Sequence, residues 1–235
     1  MSVLQMVQSR GRQGFTLFGA ISLLLLAAAA WAVVQAPQDQ VQGITQKIFY
    51  GHISVIWTGY LMLLGTFLAA VVVLASDAPV DSAPAMAPVL VGATAEVAFV
   101  FITLVNLTGP IWAKPIWGTW WSWDARLTAS FVLWLLLAVM LLLRANLPRD
   151  WRSHKVTAVV ALLATLNVPI VHYSVRWWRT LHPAPVVMQD KVGGGLDAAM
   201  VPALILSLVA ATSLGLTLLL GNVVAALNET RREDV

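Results

Sequence analysis

Six apolar stretches, each about as long as a bilayer is thick and nearly free of charge, leave this chain few folds to choose from. They are read at residues 15–35, 53–75, 88–108, 127–145, 156–173 and 199–224. A hydrocarbon core of about 30 Å is crossed by roughly 20 helical residues. The expected fold class is therefore an all-α integral membrane protein, a six-transmembrane-helix bundle. Composition agrees, since 59% of residues are hydrophobic and 11% charged, where a soluble domain carries about 25% charged. The first stretch follows Arg10 and Arg12 but outruns the apolar core of a signal peptide, about 7–15 residues. It is read as an uncleaved helix. With no internal repeat or soluble segment, residues 1–235 are read as one membrane domain.

Charge orients this bundle. The connection RANLPRDWRSHK holds four basic residues and one acid, which places it, and both termini, in the cytoplasm. Loops one, three and five then share the opposite, extracytoplasmic face. They contain His52, a tryptophan-rich segment, and SVRWWRTLHPAP. The even loops are ordinary, SDAPVDSAPAMAP being a small Pro/Ala-rich turn. A net charge of +3 with scattered basic residues gives no stripe for nucleic acid. The absence of cysteine excludes disulfides, thiolate metal sites and covalent haem attachment within the chain.

The third loop, taken as 109–126, is the unusual one. Five of the eleven tryptophans lie between Trp112 and Trp123, more than interfacial anchoring of a helix end requires. If 117–128 is helical, Trp117, Trp120, Trp121, Asp124 and Thr128 form one face at i, i+3, i+4, i+7 and i+11, with Trp123 to one side. Pro115 and Gly118 suggest an irregular start that becomes helical towards the fourth span. Such a face can stack on a planar aromatic ligand, at about 0.5–1.5 kcal/mol per offset pair; the plainer reading is an aromatic belt, the role expected of Trp31, Trp57, Trp134 and Trp151. Trp177 and Trp178 form a second aromatic group, in the loop that carries His182. His52 and His182 are presented to one surface, and such a pair can hold haem iron from two faces; structural histidines at helix ends are the other reading. His154 is expected to be solvated in the basic loop, and His172 ends the fifth span. Lys114, Arg126, Arg176 and Arg179 are cations that either meet carboxylates or snorkel. Asp124 and Arg126, two apart, are expected to point in different directions. Glu96, in the third span, is a functional candidate by its cost in lipid, with a protonated structural acid the plainer reading and no partner evident beyond Asn106 or Asn167.

The residues AKPIWGTWWSWDARLT, LNVPIVHYSVRWWRTLH and YGHISVIW together resemble the CcmC (haem exporter protein C) family, the haem-handling "WWD" membrane proteins of bacterial cytochrome c maturation. The likeness runs from about residue 45 to 185. It implies that His52 and His182 are axial ligands of a non-covalent haem b. It implies a haem-contact platform of Trp117, Gly118, Trp120, Trp121, Trp123, Asp124 and Arg126, with Lys114 and Pro115 just upstream. By the same likeness the chain sits in the bacterial inner membrane and passes haem to the periplasmic chaperone CcmE. The ABC transporter subunits CcmA and CcmB and the small membrane protein CcmD are the implied further partners. No G-x-x-x-x-G-K-[ST] is present, and the glycines at 193–195 are read as a loop break. The expectation is a delivery factor without a catalytic triad or nucleotide site. A b-type cytochrome for electron transfer and a permease are the alternatives. The first usually has histidines facing each other within the bilayer; the second often shows a broken helix pair or pseudo-repeat.

Overall fold

The structure, a computed structural model, describes the backbone of residues 3–76, 86–178, 180–182 and 196–233, and side chains among those between 13 and 229. Residues 77–85 of the Pro/Ala-rich turn, Arg179, Pro183 and the glycines at 193–195 lie outside the described residues. Six helices follow in order: α1 (Val3–Gln35), α2 (Ile48–Ala75), α3 (Met86–Trp117), α4 (Ala125–Asn146), α5 (Trp151–Trp177) and α6 (Val201–Glu233). All six are long and apolar enough to cross a membrane, so the protein is an all-α, multi-pass membrane protein. Short 3-10 turns at Ile44–Lys47 and Ala198–Met200 lead into α2 and α6.

Most helices run past the ends that hydropathy suggests, and the overrun of α3 matters most for the tryptophan segment. Instead of ending at 108 it continues to Trp117, through Pro110 and Pro115. Proline removes one N–H and crowds the carbonyl four residues back. Leaving the helix inside lipid would strip several backbone groups of partners at once. Continuing through the prolines costs less, so the expected loop 109–126 shrinks to residues 118–124.

α2 and α3 pack along each other at the centre, with α5 and α6 against α2, α4 against α5, and α1 against α6. Apolar burial does not drive helices together in lipid, so close approach and hydrogen bonds matter more. Ala69, Ala70, Ala95, Ala98, Ala158, Ala161 and Ala164 line the core accordingly, beside Phe101, Leu133 and Met140. Ser22 bonds Ser213 at 2.7 Å and Thr217 at 3.0 Å, fastening α1 to α6. Trp134, expected in the belt, instead donates to Thr103 Oγ1 at 2.8 Å and stacks with Phe99 and Phe131 between α3 and α4.

Candidate functional site

His52 stands near the start of α2 and is buried, with 4% of its surface exposed. Its Nδ1 lies 2.8 Å from Thr108 Oγ1, and its ring meets the edge of Trp112 at 5.6 Å. Thr108 and Trp112 are one turn apart on α3, which exists there only because the helix passes Pro110. Trp112 in turn donates to Gln42 Oε1 at 3.1 Å, tying the first loop to the same end of the bundle.

His182 is half-buried at that end. Its ring lies edge-on to Trp117, the last residue of α3, at 5.7 Å. Arg126 Nη1 lies 3.1 Å from His182 Nδ1, and Arg126 Nε donates to the Val171 carbonyl at 3.4 Å. Two imidazoles far apart in sequence therefore both pack against the last turns of α3, and Arg126 stands beside one of them, His182.

The tryptophan segment is not the single helical face that its spacing suggests. Helix ends at Trp117 and resumes at Ala125. Gly118 stops α3 with φ +75°, a left-handed value that glycine tolerates without a Cβ clash, and its N–H bonds the Lys114 carbonyl at 3.0 Å. Lys114 Nζ donates to the Gly118 carbonyl at 2.9 Å, so this cation satisfies the helix end. Asp124 caps α4: its Oδ1 accepts from Leu127 N at 2.9 Å, and Ser122 Oγ donates to its Oδ2 at 3.4 Å. The expected order is thus reversed, helical first and extended later. Freed from helical periodicity, the indoles spread out. Trp121 packs edge-on to Trp123 and Phe131, whereas Trp120 and Trp123 are 58% and 75% exposed. Trp121 Nε1 is buried without a hydrogen-bond partner among the described residues. Beside Trp123, an apolar groove of about 450 Å³ runs between α4 and α5 past Val132, Asn167 and Ile170 to Trp178.

Other candidates sit apart from this cluster. Arg176 lies over the Tyr173 ring at 5.7 Å, and Tyr173 stacks on Trp177. His172 is exposed against Tyr173. His154 is within α5, half-buried against Trp151, not in a solvated loop. Glu96 does have a partner: Arg144 Nε stands 4.0 Å away, at the opposite end of α4 from Arg126. Asn106 accepts from Ser130 at 3.2 Å, and Asn167 donates to the Ala129 carbonyl at 2.8 Å. Sequence reasoning missed Thr108 as the partner of His52. The i, i+4 pair of Thr108 with Trp112 was the available signal once α3 is carried through Pro110.

Known proteins share this chain's sequence along most of its length. The profile of the CcmC family, heme exporter protein C, matches residues 4–235. Heme exporter protein C of Bradyrhizobium diazoefficiens is 36% identical over 216 residues, covering 92% of this chain and 78% of the relative. Heme exporter protein C of Escherichia coli K12 is 33% identical over 171 residues, 72% of this chain and 67% of the relative. A six-span bundle with this sequence match from its first helix to its last residues belongs to the heme exporter protein C family.

Proposed function

We propose that the chain serves cytochrome c maturation by holding haem b, without a covalent bond, at the outer end of its bundle and handing it on. His52 and His182 are the axial ligands. Trp117, Trp120, Trp121 and Trp123 form the apolar shelf; Gly118, Lys114 and Asp124 fix that shelf's backbone; Arg126 is the cation available to a haem carboxylate. The convergence of His52 and His182 on the last turns of α3, with Arg126 bonded to His182, carries this reading.

The residues suit such a substrate. Imidazole nitrogens ligate haem iron in many proteins. The ring nitrogen of His52 that faces Thr108 has the oxygen partner that orients a ligating histidine. Exposed indoles offer flat apolar area for a macrocycle. The buried Trp121 N–H is a donor without an acceptor among the described residues, and a guanidinium suits a carboxylate.

In this reading the site faces the periplasm from the bacterial inner membrane and both termini are cytoplasmic, which the connection rich in arginine and lysine supports. The exposed Trp120 and Trp123 leave an edge for the acceptor, the haem chaperone CcmE, with CcmA, CcmB and CcmD as the surrounding complex. The test is the visible spectrum of the membrane-purified protein. His52→Ala and His182→Ala should each lose most of the Soret absorbance, and Trp120→Ala with Trp121→Ala should loosen haem without preventing insertion. Normal haem content in both histidine variants overturns the ligand assignment.

A further inference from the structure

We propose that the two imidazoles are set unequally: His52 is ready to ligate, while Arg126 holds His182 back until a carboxylate draws the guanidinium away. This rests on the haem reading of the site and assigns Arg126 as a positioning residue that acts through His182.

Hydrogen-bond direction carries the argument. The Thr108 hydroxyl has one hydrogen, and it donates to the Leu104 carbonyl at 2.7 Å. With that hydrogen committed to the helix carbonyl, we assign Thr108 Oγ1 as the acceptor towards His52 Nδ1, 2.8 Å away. Nδ1 of His52 carries the ring hydrogen, so in the neutral ring Nε2 keeps its lone pair. That is the tautomer a metal ligand needs, with the other nitrogen donating to an oxygen.

His182 is arranged the other way. A guanidinium has five N–H donors and no acceptor, so Arg126 Nη1, at 3.1 Å, donates to Nδ1. The hydrogen of the neutral ring then sits on Nε2, where it blocks coordination. One neutral imidazole cannot accept from Arg126 at Nδ1 and ligate through Nε2. Arg126 is also tied by Nε to Val171 of α5, which keeps its guanidinium across the ring.

A carboxylate is the better partner for that guanidinium, because the bonds are charge-assisted and can be bidentate. A porphyrin that brings carboxylates therefore exchanges with His182 for Arg126. The ring hydrogen passes from Nε2 to Nδ1 with no net proton gained or lost, and the second ligand becomes available. The site thereby selects a porphyrin with free carboxylates over one without.

Two measurements on the purified full chain decide this. Without porphyrin, nitrogen NMR of labelled histidine should show His52 protonated at Nδ1 and His182 at Nε2, with the His182 preference lost in Arg126→Met. In titrations read by absorption and resonance Raman, iron protoporphyrin IX should be ligated by both histidines. Its dimethyl ester should be held by His52 alone. Arg126→Met should accept both porphyrins with two ligands and tighten the ester about tenfold, the scale of one lost charge-assisted hydrogen bond. The same tautomer on both rings, or two-histidine ligation of the ester by the unaltered chain, overturns the proposal. Uptake of neither porphyrin with the nitrogen pattern intact overturns the haem reading and leaves the asymmetry standing.

Discussion

Arg144 in the last turn of α4 and Arg126 in its first turn are the same side chain in opposite helix-end fields. A cation is favoured at a helix C-terminus and disfavoured at an N-terminus, by about 0.3–1 kcal/mol near the surface. Arg144 has everything a structural arginine needs. Its Nη1 donates to the Pro88 carbonyl at 3.1 Å, Glu96 lies 4.0 Å from its Nε, and its guanidinium packs where a side chain on Gly92 would have to go. Arg126 works against the dipole, partly offset by the Asp124 cap, and it hydrogen-bonds an imidazole and a backbone carbonyl. One end of α4 is arranged for stability. The other accepts an electrostatic cost, which suits the haem carboxylate proposed for it.

This contrast is breakable. Arg144→Met removes the bond to Pro88 and leaves Glu96 without its cation, at a cost of about 2 kcal/mol, read as thermal unfolding in detergent with haem retention unchanged. Arg126→Met should cost less stability. Should it unfold the chain more than Arg144→Met does, the two ends are not distinct. Gly92→Ala sharpens the comparison, since its methyl group displaces the Arg144 guanidinium. Both changes then remove one interaction, and the double variant should be no less stable than the worse single one. Gly118→Ala tests the haem end. At φ +75° with open space around the position, the cost is backbone strain alone, about 1–2 kcal/mol, and haem should be held less tightly because Trp117 and the following indoles shift.

The smallest effect lies at Asp150, which caps α5 and accepts from Ser153 N at 2.7 Å. That backbone hydrogen bond, with help from the Ser153 side chain, holds its carboxyl below the usual carboxylate range. A depressed folded value stabilises above the unfolded value of about 3.9 and is lost as pH falls through the folded one. Asp150→Asn keeps a capping residue, so unfolding temperature should match the parent near neutrality and lose its dependence on acid below about pH 4. An unchanged acid profile would show that the cap does not contribute.

The sequence made six spans legible because twenty apolar residues have no other use for a bilayer. It also made legible that His52, the tryptophan segment and His182 lie together, since alternate loops of a helical bundle share an end. The Trp117, Trp120, Trp121, Asp124 series was misleading. Helical spacing fits these residues, yet Gly118 ends one helix straight after Trp117 and Asp124 caps the next, so the series is interrupted within itself. Trp134 misled in the opposite way, since its indole finds Thr103 on a neighbouring helix, not the interface.

Sequence alone determined the number of crossings and the groups gathered at each end, because both follow from hydrophobic length and chain alternation. Tertiary structure decided which atoms face which: Thr108 towards His52, Arg126 towards His182, Arg144 towards Glu96. Those pairings depend on the rotation and depth of each helix against its neighbours. In lipid these are set by close packing and hydrogen bonds between distant residues, which no local pattern along the chain encodes.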